Sequence, residues 1–418
     1  MQNLNFKRTK LACYTAYFTM SSIFCVPPLL FMTFHNLYDI SYTLLGTLVL
    51  TNFCTQMLVD LIFTLFSKKF NIQKVVRVMP CITSLGLFIY ALVPNFFPQY
   101  AYIGLVVGTI IFSVSAGLSE VPLSPVIAAI PSENPQKDMS MLHSLYAFGF
   151  FTMVLISTLF LKLFGNENWA YLVLLIGTLP LLAALLFKIS PFPDMTEEAS
   201  QDKNKSKSRN RTIGLALCVS CIFLGSCAEN TMSNWISTYM ENALNIDKAL
   251  GDILGMAMFA ILLGITRITY AKYGKNISKF LLISMICAAI CYLTVSFSNN
   301  TILSFVGCIL TGIFTSMLWP GTLILMEENV KGVGVAAYAL MASAGDFGAS
   351  LAPQLMGIVI DNVSVSKFAL NLSATLNLTP EQIGLKTGML ITSFFPILGT
   401  ILMVFIIKYF KKQKVQVN

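Results

Sequence analysis

A cluster of polar residues interrupts an apolar part of the sequence, in the stretch SCAENTMSNWISTYMEN. On a helix, Glu229 and Ser233 lie one turn apart, as do Asn230 and Asn234, and Trp235 is adjacent. Carboxylate and amide groups bind pairs of hydroxyl groups, and an aromatic ring covers an apolar C–H face. The cluster is therefore typical of a site for a small hydroxylated solute. Hydrogen bonds between helices would use the same groups, so a structural role stays open.

A second acid, Glu120, lies in the apolar stretch AGLSEVPLSPVIAAIP, close to two prolines. On a helix, Gly117, Ser124 and Ser113 share its face at offsets of three, four and seven residues. Small and polar residues on this face indicate a cavity wall, where Glu120 would carry a proton or accept a hydrogen bond from a solute. The alternative is a structural acid that pairs with a neighbouring helix.

A polar stripe of Asn52, Gln56 and Asp60 follows one face of another predicted helix, at intervals of four residues. The stripe either lines a solute pathway, in which Asn52 and Gln56 would bind the solute, or joins neighbouring helices. For Asp60 we expect a structural or a gating role.

The other candidates are single residues within apolar segments. His143 titrates near neutral pH, so it either carries a proton or is a hydrogen-bonded structural residue, and Tyr146 lies on a neighbouring face. Asp346 is flanked by glycines and needs a partner or a proton. Arg267, near the end of its segment, is typical of a gate, and Trp319 either covers a solute or packs against a helix.

The elements that position these residues are predicted to be membrane-spanning helices. Of the 418 residues, 56% are hydrophobic and 11% are charged, whereas soluble domains carry about 25% charged residues. A spanning helix needs roughly 20 mostly apolar residues. Segments of this kind are centred on about 11–34, 41–66, 75–94, 101–129, 139–163, 168–190, 212–239, 250–271, 277–297, 301–326, 333–360 and 386–408. The expected fold class is an all-α membrane protein with twelve transmembrane helices.

Basic residues are distributed unevenly over the joints between these segments. Alternate joints hold 23 of the 27 Lys and Arg residues, and the remaining joints hold only Lys162, Lys248, Lys367 and Lys386. Because cytoplasmic loops are rich in Lys and Arg, both termini are expected in the cytoplasm. This asymmetry explains the net charge of +8 without a nucleic-acid partner. The first segment has no small-residue cleavage site, so we expect a retained helix and not a signal peptide.

The joint at residues 191–211 is polar and charged, which is typical of a flexible cytoplasmic linker. It divides the chain into two predicted bundles of six helices, residues 1–190 and 212–418. Pro125 and Pro320 are 195 residues apart, and each is followed eight residues later by Glu-Asn. We interpret the halves as repeats, and transporters built from repeats bind their solute at the repeat interface, near the bilayer midplane.

The sequence indicates neither a metal site nor a disulfide framework. All ten cysteines lie within the predicted spans. Cys218 and Cys221 have a CxxC spacing, but zinc requires further ligands nearby, and we interpret them as apolar packing residues. No cofactor and no catalytic residue are expected. The expected partners are a solute, the lipid bilayer and, as one option, protons, and the protein is expected to be a monomer.

Several short motifs resemble those of a known family. They are Ser119-Glu120, Ser124-Pro125, Leu142-His143-Ser144, Phe148-Gly149, Glu229 with Trp235, Trp319-Pro320-Gly321, and Gly345-Asp346-Phe347-Gly348 with Pro353. With these motifs the chain resembles the major facilitator superfamily over nearly its whole length. Its finer resemblance is to the bacterial fucose-permease-like sugar transporters. That resemblance implies a sugar carrier in the cytoplasmic membrane of a bacterium, with a functional carboxylate in the fourth span, here Glu120.

Two features depart from the family pattern. The loop after the second span usually reads Gly-x-x-x-Asp-Arg-x-Gly-Arg-Arg, but here the basic residues Lys68 and Lys69 begin eight residues after Asp60, farther than in that pattern. Asp60 is therefore expected inside the span, about two turns from the loop. The fucose-permease group also has an acid in its first span, and the first span here has none. The resemblance alone does not assign proton coupling.

The sequence thus predicts a secondary transporter for a small hydrophilic solute, with a monosaccharide or a related compound as the substrate class. No GxxxxGK[ST] sequence occurs, so ATP is not expected to drive transport. The alternative is an efflux carrier of the same fold, because 32 Phe and 20 Met residues could line an apolar pocket. A receptor would need a signalling domain, and an enzyme would need a nucleophile or a metal set, and neither is indicated.

Overall fold

The computed structural model describes residues 6–66, 70–133, 135–193, 209–330 and 335–417. Within these ranges the chain is helical and contains no β-strand. The α-helices are α1 (Lys7–Met20), α2 (Ser22–Leu29), α3 (Phe31–Tyr38), α4 (Tyr42–Phe66), α5 (Ile72–Phe96), α6 (Ala101–Ala129), α7 (Pro135–Phe164), α8 (Trp169–Lys188), α9 (Arg209–Thr238), α10 (Lys248–Leu250), α11 (Met258–Tyr273), α12 (Ile277–Phe297), α13 (Thr301–Thr315), α14 (Pro320–Asn329), α15 (Val335–Ser364), α16 (Lys367–Leu376), α17 (Pro380–Thr392) and α18 (Phe394–Val417). Two π-helical segments, Tyr239–Ala243 and Gly251–Ala257, precede α11.

Ten helical segments of the described chain are long and apolar enough to cross a membrane. Two further groups pass this test only when bent helices are joined: α1 and α2 with α3, at 47°, and α15 with α16, at 78°. If each bent group is one span, the described chain has twelve, as the sequence predicts. The first bend follows Pro27 and Pro28 in α2.

The chain forms two compact units. Unit 1 comprises Met1–Ile40 and Thr51–Ser200, and unit 2 comprises Ser41–Leu50 and Gln201–Asn418. Most of the predicted linker, residues 191–211, lies outside the described residues, so the predicted domain boundaries stay a prediction. The candidate residues divide between the two units, and each unit is described separately below.

The beginning of α4 belongs to unit 2. The backbone N–H groups of Tyr42 and Thr43 donate to the two carboxylate oxygens of Asp361 in α15, at 3.1 and 2.7 Å. The first N–H groups of a helix have no acceptor within the helix, and a negative charge at this end complements the helix dipole. Asp361 therefore fixes the residue at which α4 begins.

In unit 1, glycines bring α5 and α6 into close contact. A Cβ atom at Gly86 would lie 2.6 Å from the backbone nitrogen of Phe112, and one at Gly108 would lie 2.7 Å from that of Tyr90. Small residues allow this approach, which helix association in a membrane requires because lipid is as apolar as the side chains. The contact fixes the position of α6, the helix that carries Glu120.

In unit 2, a glycine brings α15 equally close to α9. A Cβ atom at Gly348 would lie 2.5 Å from the carbonyl oxygen of Phe223. The rings of Phe223 and Phe347 stack beside this contact, with centroids 5.8 Å apart. The contact fixes the position of α9, the helix that carries Glu229.

Candidate functional site

An ion pair joins α9 and α11 inside unit 2. Arg267 Nη2 lies 3.2 Å from Oε1 of Glu229, whose side chain is 16% exposed. Glu229 is near the middle of the candidate span Asn210–Ala243. Its second carboxylate oxygen, Oε2, is buried and has no hydrogen-bond partner among the described residues. The carboxylate is thus only partly satisfied, which is a costly arrangement within a membrane.

Pro320 explains how the arginine is held. Proline has no N–H to donate to the carbonyl group of Ser316, four residues earlier. The tenth predicted span breaks at this point, since α13 ends at Thr315 and α14 begins at Pro320. The freed Ser316 carbonyl accepts a hydrogen bond from Arg267 Nε at 2.8 Å. One edge of the guanidinium is therefore anchored to backbone while Nη2 reaches Glu229.

The two amides beside Glu229 direct their N–H groups to their own helix. Asn230 Nδ2 donates to the carbonyl and the hydroxyl of Ser226, at 3.2 and 3.1 Å. Asn234 Nδ2 donates to the Asn230 carbonyl at 2.8 Å. No described residue donates a hydrogen bond to either amide oxygen. These oxygens are therefore the groups that could accept hydrogen bonds from a hydroxylated solute.

Trp235 is fully buried. Its Nε1 donates to the carbonyl of Pro353 at 3.0 Å, and its ring centroid lies 6.1 Å from that of Tyr42. The indole therefore packs between neighbouring helices, and contact with a solute would require those neighbours to move.

Trp319 is half-buried and packs against α15. A Cβ atom at Gly345 would lie 2.3 Å from Cζ3 of the indole, so the glycine makes room for the ring. Asp346, the next residue, is 6% exposed. Close helix contacts thus occur at Gly345 and at Gly348, on both sides of the acid.

In unit 1, the polar stripe of α4 contacts α6. The Ser113 hydroxyl lies 2.7 Å from Asn52 Oδ1 and 2.6 Å from the carbonyl of Thr109, so its single proton is shared between two acceptors. Asn52 and Gln56 are both buried. At Asn52 the stripe therefore joins two helices in this structure.

Asp60, at the end of the stripe, lies against Gly117 of α6. A Cβ atom at Gly117 would be 2.7 Å from Asp60 Oδ1. The face of α6 that carries Ser113 and Gly117 was expected to form a cavity wall from its small residues. The structure instead places both residues in contact with α4, because small residues serve close helix packing equally well.

The remaining candidates of unit 1 lie on α6 and α7. Tyr146 is half-buried, and its ring meets that of Phe24 edge-on, with centroids 5.8 Å apart. Glu120 belongs to α6 and His143 to α7. The side chains of these two residues are outside the part of the chain that the structure describes.

Unit 2 contains a second charged cluster, which was not predicted from the sequence. Ser237 donates a hydrogen bond to Asp252, and Lys248 Nζ lies 3.5 Å from carboxylate oxygens of both Glu241 and Asp252. Asp252 is 1% exposed, and it lies four residues after Lys248. That i, i+4 spacing of opposite charges is the signal that could have identified the pair.

A further feature of unit 2 is an apolar groove of about 240 Å³ between α12 and α13. Cys287, Ile290, Leu303 and Phe314 are among its lining residues, and Thr294 contributes a hydroxyl. It carries no charged group, so it is less suited to a hydrophilic solute than the α9–α11 site. The described residues contain no group of three His, Cys, Asp or Glu side chains that could hold a metal ion.

Several solved structures have the same fold as this chain. The D-xylose–proton symporter is 14% identical, with a TM-score of 0.74, and the match covers 93% of this chain and 96% of that one. A bacterial homologue of the human lysosomal transporter Spinster is 13% identical, with a TM-score of 0.73 and 97% of both chains covered. The nucleoside transporter NupG is 15% identical, with a TM-score of 0.66 and coverage of 96% and 98%.

These similarities confirm the predicted fold class, while the finer resemblance to the fucose-permease-like group stays a prediction. No curated protein matches the chain by sequence. The sequence model of the Major Facilitator Superfamily matches residues 11–353, which is most of the 418 residues. The chain therefore belongs to the major facilitator superfamily.

Proposed function

We propose that this protein is a secondary transporter that moves a small hydrophilic solute, a monosaccharide or a related compound, across the cytoplasmic membrane by alternating access. Membership of the superfamily supports a transporter. The names of two solved relatives, a D-xylose–proton symporter and a nucleoside transporter, support a sugar-containing substrate. Both termini would lie in the cytoplasm, in agreement with the distribution of Lys and Arg.

The observation that carries the proposal is the ion pair of Glu229 with Arg267 inside unit 2. Charged residues within a span are costly and mark solute or proton pathways. The unpaired Oε2 of Glu229 makes its charged form expensive, and a proton would remove that charge. Glu229 is therefore our first choice for a proton-carrying group, ahead of Glu120, Asp346 and His143.

Solute binding is assigned to polar and aromatic side chains of both units. The proposed set is Glu120, Glu229, Asn230, Asn234, Trp235, Asn52, Gln56, Tyr146 and Trp319. Amide and carboxylate oxygens would accept hydrogen bonds from hydroxyl groups, and the aromatic rings would cover the apolar face of the solute. Asp60 and Arg267 are the proposed gating residues, and Arg267 would act through its pairing with Glu229.

The test is transport by the purified protein in proteoliposomes. Labelled monosaccharides, sugar acids, nucleosides and amino acids are supplied with and without an inward proton gradient. We expect accumulation of a sugar-related solute that depends on the gradient. In Glu229→Gln, gradient-driven accumulation should be lost while exchange of solute at equal concentrations persists, because a neutral residue cannot release a proton.

The matched control is Glu328→Gln, which removes an exposed carboxylate at the end of α14 in the same unit. It should accumulate solute like the unaltered protein. Transport of none of these solute classes would contradict the proposed function. Accumulation by Glu229→Gln at the normal level would contradict the proton-carrying role alone.

A further inference from the structure

The guanidinium of Arg267 keeps donors free while it is fixed in place. Nε is bound to the Ser316 carbonyl at 2.8 Å, and Nη2 lies 3.2 Å from Glu229 Oε1. The guanidinium carries five N–H donors, and these two contacts occupy two of them. The structure gives the others no acceptor among the described residues. The Arg267 side chain is also 40% exposed, so the packing of the protein does not enclose it.

The ion pair is geometrically incomplete. A strong arginine–carboxylate pair is bidentate, with two parallel N–H···O bonds. Here only one carboxylate oxygen is engaged, and Oε2 of Glu229 is buried without a partner. Arg267 is the charged group that the structure places against Glu229 among the described residues. When Glu229 takes up a proton, the positive charge of Arg267 therefore loses its counter-charge.

The two amides next to Glu229 on α9 have unused hydrogen-bond acceptors, whereas they donate within the helix. The N–H groups of Asn230 and Asn234 are used within α9, which leaves their oxygens to accept from hydroxyl groups. Arg267, which binds the carboxylate next to Asn230 in the sequence, is a donor with unused capacity. A donor with a full positive charge, in the unit that also holds free acceptors for hydroxyl groups, matches a hydroxylated solute with an anionic oxygen group.

From this geometry we infer that Arg267 binds the carboxylate of an acidic solute, a sugar acid of the hexuronate type, in place of the Glu229 carboxylate. This inference rests on the proposed transport function and names its substrate class. The solute carboxylate would form the bidentate pair that Glu229 does not form, and Glu229 would be protonated meanwhile. The cycle would carry one proton with one anion, so no net charge would cross the membrane.

The experiment compares solutes that differ only at the acidic group. Detergent-purified protein is titrated with sodium glucuronate, glucuronamide and glucose at pH 5.5 and 7.5, and ligand binding is read from the rise in apparent melting temperature. Glucuronamide has the shape of glucuronate without its charge. We expect glucuronate to bind at least about tenfold more tightly than the two neutral compounds, and more tightly at pH 5.5 than at pH 7.5.

Three variants separate charge from geometry. Arg267→Gln should weaken glucuronate binding about tenfold or more and leave glucuronamide unaffected, and Arg267→Lys should fall between, since lysine lacks the planar fork. Glu229→Gln should bind glucuronate with equal affinity at both pH values. Lys275→Gln, which removes an exposed positive charge from the same unit, is the matched control and should behave like the unaltered protein.

The outcomes distinguish this inference from the proposed function. Equal binding of glucuronate and glucuronamide, undiminished glucuronate binding by Arg267→Gln, or no glucuronate binding would each overturn the inference. If glucose is nevertheless accumulated in proteoliposomes, the proposed function stands with a neutral substrate. If no solute of the panel is transported, the proposed function fails as well.

Discussion

The two units of this transporter bury polar groups in different ways. In the described part of unit 1, neutral groups form polar contacts between spans, such as Asn52 with Ser113 and Thr83 with Ser115, and the acid Asp60 lies against Gly117 of α6. Among the described residues of unit 1, Lys10 and Asp138 form an ion pair near the beginnings of α1 and α7. Unit 2 places an ion pair of oppositely charged side chains, Glu229 with Arg267, within its spans.

This difference indicates a division of labour between the units. A neutral hydrogen bond between spans contributes little to stability and does not respond to pH or to charge. An ion pair within a span responds to both, because either partner can be neutralised or exchanged. We therefore expect the described contacts of unit 1 to hold helices together and those of unit 2 to change during transport.

The largest loss of solute affinity is expected from Pro320→Ala in unit 2. Alanine restores an N–H that can donate to the Ser316 carbonyl and join α13 to α14. Arg267 would then lose the acceptor that anchors Nε. A hydrogen bond from a charged group contributes about 1.5–3 kcal/mol, so we expect solute affinity to fall roughly tenfold to a hundredfold. Melting curves and solute titrations of the purified variant measure both properties.

The control for this change is Pro180→Ala in unit 1. It restores a backbone donor inside α8, a helix that carries none of the candidate residues. Its solute affinity should match that of the unaltered protein. If both variants lose affinity equally, the effect comes from helix bending in general, and the special role of Pro320 is disproved.

The helices could be predicted from the sequence because hydropathy is a local property. The bent span of α1 to α3 was predicted as one segment, since apolar composition continues through its bend, whereas the segment predicted at 333–360 covers α15 and ends before α16. The sequence could not give the partners of the buried charges. Glu229 and Arg267 are in different spans, and Arg267 was assigned to a gate on its position alone.

Some site geometry could have been derived from the sequence and was not. Pro320 inside an apolar segment implies that the Ser316 carbonyl lacks its helical donor, so a side-chain donor from a neighbouring helix is one expected partner. The burial of Trp235, in contrast, could not have been derived from the sequence. Its hydrogen bond to Pro353 depends on how α15 packs against α9, which no local pattern in α9 reveals.

A smaller change, in the free energy of unfolding, is expected when the neutral contact of Asn52 with Ser113 in unit 1 is removed. In a double-mutant cycle with Asn52→Ala and Ser113→Ala, we expect a coupling energy of about 0.6 kcal/mol, the size typical of hydrogen bonds between spans in double-mutant cycles. The cycle with Glu229→Gln and Arg267→Gln in unit 2 should give a larger coupling, because each single variant leaves a charge or a donor unpaired. Reversible unfolding in detergent measures both, and equal couplings would remove the distinction between the units.

The smallest effect is expected at the ion pair near the helix ends of unit 1. The hydrogen bond from Lys10, followed by that from Ser132, lowers the pKa of Asp138 below its ordinary value, and Tyr14 also contacts this carboxylate. Because the pKa is lower in the folded protein, the stabilisation is complete above the unfolded value and is lost as the pH falls through the folded one. Asp138→Asn should therefore lower the stability by less than about 1 kcal/mol at pH 7, and the difference should shrink toward pH 3. Melting temperatures of the two proteins across this range test the sign. A difference that grows on acidification would show that Lys10 and Asp138 do not stabilise unit 1 as an ion pair.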